Sequence, residues 1–388
     1  MIDSIPSLIQ KTFPIPARFK SALPSDIAEL SRLLTNNRGN RSLSYLTRPN
    51  FLSAYLYYFL PWNLYRLCLL LPTLDLKLSD GDTIADLGCG PLTFAAALWI
   101  ARPELRSVSL EINCIDRSGP ALEAGKKFFT ALCESTNTAS AWKINLLKED
   151  IDIRKTSAVK KRKKAALVCA VNMFNEIYER LPHNNAEELR SMAENAAKLL
   201  NSEASANAAI LTVEPGVPQS GKFISLLRSE LIKLGHTPLS PCTHSLDCPL
   251  IGGPTKMIKG RNWIDTKKRW CHFAFETFDA PKELNRLSAA AKLPKDRLVL
   301  SFLLTGSACA AVGAAKPACP EAVRVISDSF PLPENRFGRY ACGAEGLILV
   351  TGEKSRMEKI SSYSIVNSLN AAAGQRDQKS GALMKGLK

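Results

Sequence analysis

Asp86-Leu-Gly-Cys-Gly90 closes the short apolar run Thr83 to Leu87, and a second apolar run, Leu92 to Ile100, follows it at once. That order of textures predicts a buried strand, a tight glycine turn and a helix. Downstream the alternation continues, with a strand from Ser107 to Ile115 ending at Asp116 and a helix from Pro120 to Leu132. Further strands are expected at Ala165 to Val171 and Ala208 to Glu214, with a helix from Ala186 to Leu200 between them. Strands and helices in alternation predict an α/β, Rossmann-like, parallel doubly wound sheet with right-handed crossovers.

Upstream, Ile27, Leu30, Leu33 and Leu34, then Leu52, Tyr55, Leu56 and Phe59, recur at helical spacing, so a helical lead-in precedes the sheet. Its most apolar part, Phe51 to Leu71, is broken by Pro61, Asn63 and Arg66, which fits a buried helical region and not a membrane anchor. A cytoplasmic protein without a membrane partner is expected. The 388 residues, 46% of them hydrophobic, suffice for a main core and a smaller one. Four regions follow: a helical lead-in over 1–79, the nucleotide-binding domain over 80–236, a cysteine-bearing module over 237–352 and a basic, disordered tail over 353–388. A net charge of +15 points to a polyanion such as RNA or DNA. Arg154 to Lys164 holds seven lysines and arginines and is expected to be an outward loop.

Gly88 and Gly90 allow a ligand to approach the backbone where a Cβ would clash. Asp116 stands at the tip of the next strand, where a carboxylate accepts ribose hydroxyls. Asp86 either reaches a cofactor amino group or caps its own turn. The third glycine of a dinucleotide fingerprint is missing, and Pro91 and Leu92 leave the loop short and apolar, so a methyl donor is favoured over a nicotinamide. Asp86-Leu-Gly-Cys-Gly90 with Asp116 resembles the cofactor motif of the class I S-adenosylmethionine-dependent methyltransferases. That resemblance, over roughly 80–235, implies that Asn172, Asn175 and Glu176, in Val-Asn-Met-Phe-Asn-Glu, face the methyl group and orient the acceptor. Alternatively the two asparagines close a turn and cap a helix.

Eleven cysteines in a chain with no secretory pattern indicate reduced thiols or metal ligands. Cys242 and Cys248, in Pro-Cys-Thr-His-Ser-Leu-Asp-Cys-Pro, and Cys271, in Arg-Trp-Cys-His-Phe, gather three thiols within a short stretch. Four thiolates close a zinc or iron–sulfur site. The fourth comes from Cys309, Cys319 or Cys342, of which Cys342 is preferred because a strand-like run follows it, whereas 308–320 is expected to be flexible. Cys68, Cys114, Cys133 and Cys169 sit in apolar settings and fit ordinary core positions.

Those cysteine motifs, with Arg339-Tyr-Ala-Cys-Gly343 and Ala54-Tyr-Leu-Tyr-Tyr-Phe-Leu-Pro-Trp-Asn63, resemble the ribosomal small-subunit methyltransferase-like family, whose mitochondrial members are small-subunit assembly factors. The resemblance implies a [4Fe-4S] cluster on Cys242, Cys248, Cys271 and Cys342 flanked by His244 and His272. It also implies S-adenosylmethionine at Asp86, Gly88, Gly90 and Asp116, and the small ribosomal subunit or its rRNA as partner. The expected function is an S-adenosylmethionine-binding, methyltransferase-like protein of small-subunit assembly. The alternatives are a noncatalytic iron–sulfur RNA-binding assembly factor and a zinc-containing small-molecule methyltransferase. Leu92 departs from the small residue common in the family's glycine loop.

Overall fold

The computed structural model describes residues 1–35, 45–153, 162–178, 186–251, 256–258, 261–263, 269–307 and 322–388. They divide into two units, one of 1–185, 202–205 and 275–298, the other of 186–201, 206–274 and 299–388.

The first unit holds four parallel strands, β1 (Thr83–Leu87), β2 (Glu111–Asp116), β3 (Lys143–Lys148) and β4 (Ala165–Val171), in the order β3-β2-β1-β4. Every residue of β1 is buried, as its unbroken apolar texture requires of a central parallel strand. Ile84 stands level with Ile112 on one side and Leu167 on the other. The helix Thr93–Ala101 follows β1, and Gly119–Ser135 follows β2 with the Ser118 hydroxyl accepting from the Ala121 amide. Gly125 lets that helix press on the glycine loop, since a Cβ there would lie 2.5 Å from the Pro91 carbonyl carbon. The lead-in is helical as expected, and its last turns, Tyr55–Phe59 and Leu60–Leu70, pack on the helix Lys282–Ala290. There Trp62 Nε1 donates to Ser288 Oγ at 3.1 Å and the Tyr58 hydroxyl to the Leu293 carbonyl at 2.9 Å.

In the second unit, β5 (Ala204–Pro215) and β6 (His236–Ser240) flank the strand Arg297–Ser307, which runs antiparallel to both. The all-parallel expectation is corrected here: residue 297 onward carries no local signal of direction, and this strand pairs with segments far from it in sequence. A second, seven-stranded sheet spans Val323 to Leu387 around Val323, Val325, Ile348, Val350, Met357 and Val366.

Two further expectations change. The cysteine-bearing stretch 237–352 is not a separate module, because β6 and Arg297–Ser307 pair within the sheet of β5 while 275–298 belongs to the first unit. The tail 353–388 is not disordered along its length: Leu369–Arg376 and Leu383–Leu387 pair with each other, and Leu383–Leu387 lies parallel to Gly346–Gly352. The few apolar groups of that tail, Met357, Val366 and Leu369, are placed to bury against this sheet, which offsets its polar composition. Strand β3 was not anticipated. Residues 154–161 of the basic loop and the segment 308–320, with Cys309 and Cys319, lie outside the described residues.

Candidate functional site

Parallel strands deliver their carboxyl ends to one rim. In the order β3-β2-β1-β4 the connections leave in opposite directions on either side of β1, which opens a crevice there. A cavity lies at that point, lined by Asp86, Gly88, Gly90, Asp116, Asn172 and Glu176 among others. Four residues at positive φ shape the turns beside it. Gly88 and Gly90 take φ values of +68° and +53°, and Leu92 and Asn172 hold left-handed conformations without being glycine. The Gly88 and Cys89 amides donate to the Ile115 carbonyl at 2.8 and 3.1 Å. A Cβ on Gly88 would meet Met173 Cγ at 2.7 Å, so the packing of the protein's own side chains requires a glycine at this turn.

Asp116 binds the loop to β2: its Oδ2 accepts from the Gly90 amide at 2.9 Å and its Oδ1 from the Ser118 amide at 2.8 Å. Burial raises its pKa, against the pull of those two amides. Asp86 is fully buried, with Oδ1 accepting a weak bond from the Cys169 thiol at 3.5 Å and Oδ2 facing no hydrogen-bond partner among the described residues. Burial pushes its carboxyl up to about 7. Donor atoms of Asp86, Cys89 and Cys114 lie within 4.8 Å of one another beneath the loop, and burial holds the Cys89 thiol well above its ordinary pKa.

The residues after β4 are tied to the rest of the first unit. Asn172 Oδ1 accepts from Arg66 Nη2 at 2.9 Å, and its Nδ2 donates to Asn63 Oδ1 at 3.4 Å. Glu176 accepts from the Tyr45 hydroxyl at 2.8 Å with Oε1 and from Arg117 Nη2 at 2.9 Å with Oε2. Asn175 begins the short helix Asn175–Tyr178 and does not line the cavity. The structure thus gathers Asp86, Gly88, Gly90, Asp116, Asn172 and Glu176 and leaves Asn175 aside. It adds Tyr45, Tyr55, Arg117 and Asp150, which sequence reasoning missed. Tyr55 has its hydroxyl pKa raised by burial and then by the Glu176 and Asp116 charges. Asp150 follows the strand that was not foreseen.

A second cavity, in the second unit, is lined by Cys242, Cys248, Cys271 and Cys342 together with Arg228 and Arg324. The four thiols come from the loop after β6, the approach to the strand Phe273–Glu276 and the strand Phe337–Gly343. No three of them lie within 4.8 Å of one another. Burial raises the Cys242, Cys271 and Cys342 thiols above their ordinary pKa. His244 Nε2 lies 3.6 Å from Cys342 Sγ, and His272 stacks on Trp270 with ring centroids 4.7 Å apart. Burial and the Arg228 charge lower the His244 pKa. Among the described residues no helix is long and apolar enough to cross a membrane.

The family model described as "Mitochondrial small ribosomal subunit Rsm22" matches residues 81–294. No curated protein matches the chain. Among solved structures, an S-adenosylmethionine-dependent methyltransferase from Geobacter sulfurreducens, in complex with S-adenosyl-L-homocysteine, is 13% identical. It covers 72% of this chain and 98% of its own at a TM-score of 0.32. The plantazolicin methyltransferase BpumL, also in complex with S-adenosylhomocysteine, is 14% identical over 79% of this chain and 96% of its own, with a TM-score of 0.28.

Proposed function

This chain belongs to the mitochondrial small ribosomal subunit Rsm22 family, and from that premise we propose that it is a methyltransferase-like protein of small-subunit assembly. In this reading it binds S-adenosylmethionine at the end of β1 and acts on or escorts small-subunit rRNA. The family's description is mitochondrial, whereas the sequence alone suggested the cytosol.

The observation that carries the cofactor assignment is Asp86 Oδ2, a fully buried carboxylate oxygen with no partner among the described residues, beside two glycines at positive φ. An isolated buried carboxylate is costly unless a cation meets it. The ammonium of the cofactor's amino-acid end is such a cation, and Asp116 keeps lone pairs free for ribose hydroxyls. Ile115, Ile151 and Ile177 offer apolar surface to a purine, and Asp150 an acceptor for its amine. When bound, the cofactor supplies an electrophilic methyl group on a sulfonium.

One feature favours a binding role over transfer. The Glu176 carboxylate is tied to Tyr45 and the Arg117 guanidinium, and the Asn172 amide, which is no base, to Arg66 and Asn63, so both side chains serve to hold neighbouring segments in place. The noncatalytic assembly factor is therefore the reading that the geometry around Glu176 favours.

For the second cavity we propose a metal centre on Cys242, Cys248, Cys271 and Cys342. A single tetrahedral zinc holds its sulfurs about 3.8 Å apart. A [4Fe-4S] cluster holds its thiolates farther apart than that, and a soft set of four thiols suits either metal. Such a centre, once bound, supplies folding energy to the second unit.

Gradient cosedimentation with small-subunit precursors, beside a radiolabelled methyl-transfer assay on the same particles, tests the proposal. Cosedimentation without transfer is expected; absence from the small-subunit fractions would overturn the assembly role.

A further inference from the structure

We infer that Arg228 and Arg324 are the counter-charges of the four-thiol site and hold there a tetrathiolate metal centre with two net negative charges. The inference rests on the metal-site proposal above and adds residues that are not ligands.

Both guanidinium groups are out of water, Arg228 at 3% exposure and Arg324 at 8%. Arg228 donates from Nε to Cys242 Sγ at 3.2 Å and from Nη2 to the carbonyls of His244 and Leu246 at 2.7 and 2.8 Å. Arg324 donates from Nε to the Pro241 carbonyl at 2.8 Å and from Nη1 to the Tyr363 carbonyl, and it lies over the Tyr363 ring at 4.2 Å. These partners are carbonyls, a thiol and a ring. Among the described residues neither arginine pairs with a carboxylate. Two buried cations without an anion are strongly disfavoured, and a guanidinium cannot shed its proton to escape that cost.

The missing negative charge is in the same cavity. Four thiols that become thiolates on binding a metal carry four negative charges; a doubly positive centre, a [4Fe-4S]²⁺ core or a zinc ion, leaves two. Two arginines balance two charges. They arrive from different elements, Arg228 from the helix Pro218–Lys233 and Arg324 from the strand Val323–Val325. Between them they also hold three carbonyls of the loop that bears Cys242 and Cys248, so charge and ligand placement are set by the same groups. The Arg228 N–H to Cys242 sulfur adds a hydrogen bond of the kind that tunes a thiolate-bound centre.

The test uses the full chain, loaded anaerobically with ferrous iron and sulfide or with zinc alone, and challenged with a chelator. Arg324→Gln and Arg228→Gln are expected to lower metal retention by about 10- to 100-fold, the usual effect of losing a group that supports a ligand. Arg324→Lys, which keeps the charge and loses the fork, is expected to recover most of that loss. For an iron-loaded chain, one-electron reduction by dithionite with mediator dyes should require a more negative potential in Arg324→Gln than in the wild type, a readout that a merely structural role would not move. Loaded wild type with unchanged retention in both glutamine variants, or no rescue by lysine, overturns the inference alone. A wild-type chain that retains neither metal overturns the site and the inference together.

Discussion

The two cavities are opposites in charge. Among the described residues, the one at β1 buries a carboxylate, Asp86, with an oxygen that no cation meets. The one among the cysteines buries two guanidinium groups that no described carboxylate meets. The two proposals follow the sign of each buried charge: an ammonium-bearing ligand for the first cavity and an anionic thiolate centre for the second. The contrast extends to conformation. Backbone shape defines the first cavity, through left-handed glycines, whereas side-chain chemistry gathered from distant strands defines the second.

The largest expected effect is on the second cavity alone. Cys271→Ser removes one of the four proposed ligands, and because binding energy at structural metal sites is about 10 kcal/mol or more, metal content should collapse and the chain should melt well below the wild type. Affinity for S-adenosylhomocysteine in the first cavity should stay within about twofold, since the two sites belong to separate units. A loss of both functions would break the division between them. The complementary change is Gly88→Ala. A Cβ at that φ costs about 1–2 kcal/mol before its clash with Met173, so titration should show S-adenosylhomocysteine affinity down by at least about 30-fold with metal content intact.

How much of this was legible in the sequence divides along the same line. β1 and β4 were read with correct bounds because central parallel strands are continuously apolar. β3, Lys-Ile-Asn-Leu-Leu-Lys, is only partly buried and carries lysines at both ends, so its texture hid it, and with it went Asp150. Cys242, Cys248, Cys271 and Cys342 line one cavity, yet Arg228 and Arg324 gave no signal, since nothing local separates a buried arginine from the chain's many exposed ones. Tyr45 and Arg117 at Glu176, and the direction of Arg297–Ser307, depend on contacts between remote segments. The tail was misjudged because average composition masked a few well-placed apolar groups.

Smaller effects sharpen the electrostatic half of the contrast. Burial raises the folded-state pKa of Asp86 to about 7, so its charged form disfavours folding above that pH and the protonated form relieves it below. Asp86→Asn should therefore raise the melting temperature of the ligand-free chain most at pH 8, and by progressively less as the pH falls from 7 toward the ordinary carboxylate value near 4. A bound ammonium reverses the preference and favours the carboxylate. Affinity for S-adenosylhomocysteine should then fall roughly tenfold from pH 8 to pH 6 in the wild type and stay level in Asp86→Asn. Smallest of all is Glu176→Gln. Its pair with Arg117 is about a quarter exposed, so calorimetry should find cofactor affinity within about threefold of the wild type.

Calorimetric titration of S-adenosylhomocysteine into the wild type and Asp86→Asn at pH 8 bears most directly on the cofactor assignment. One site per chain in the wild type, weakened at least about 100-fold in Asp86→Asn, is the expected result. No binding by the wild type, or equal binding by both, would contradict the assignment of that buried carboxylate to a cationic ligand.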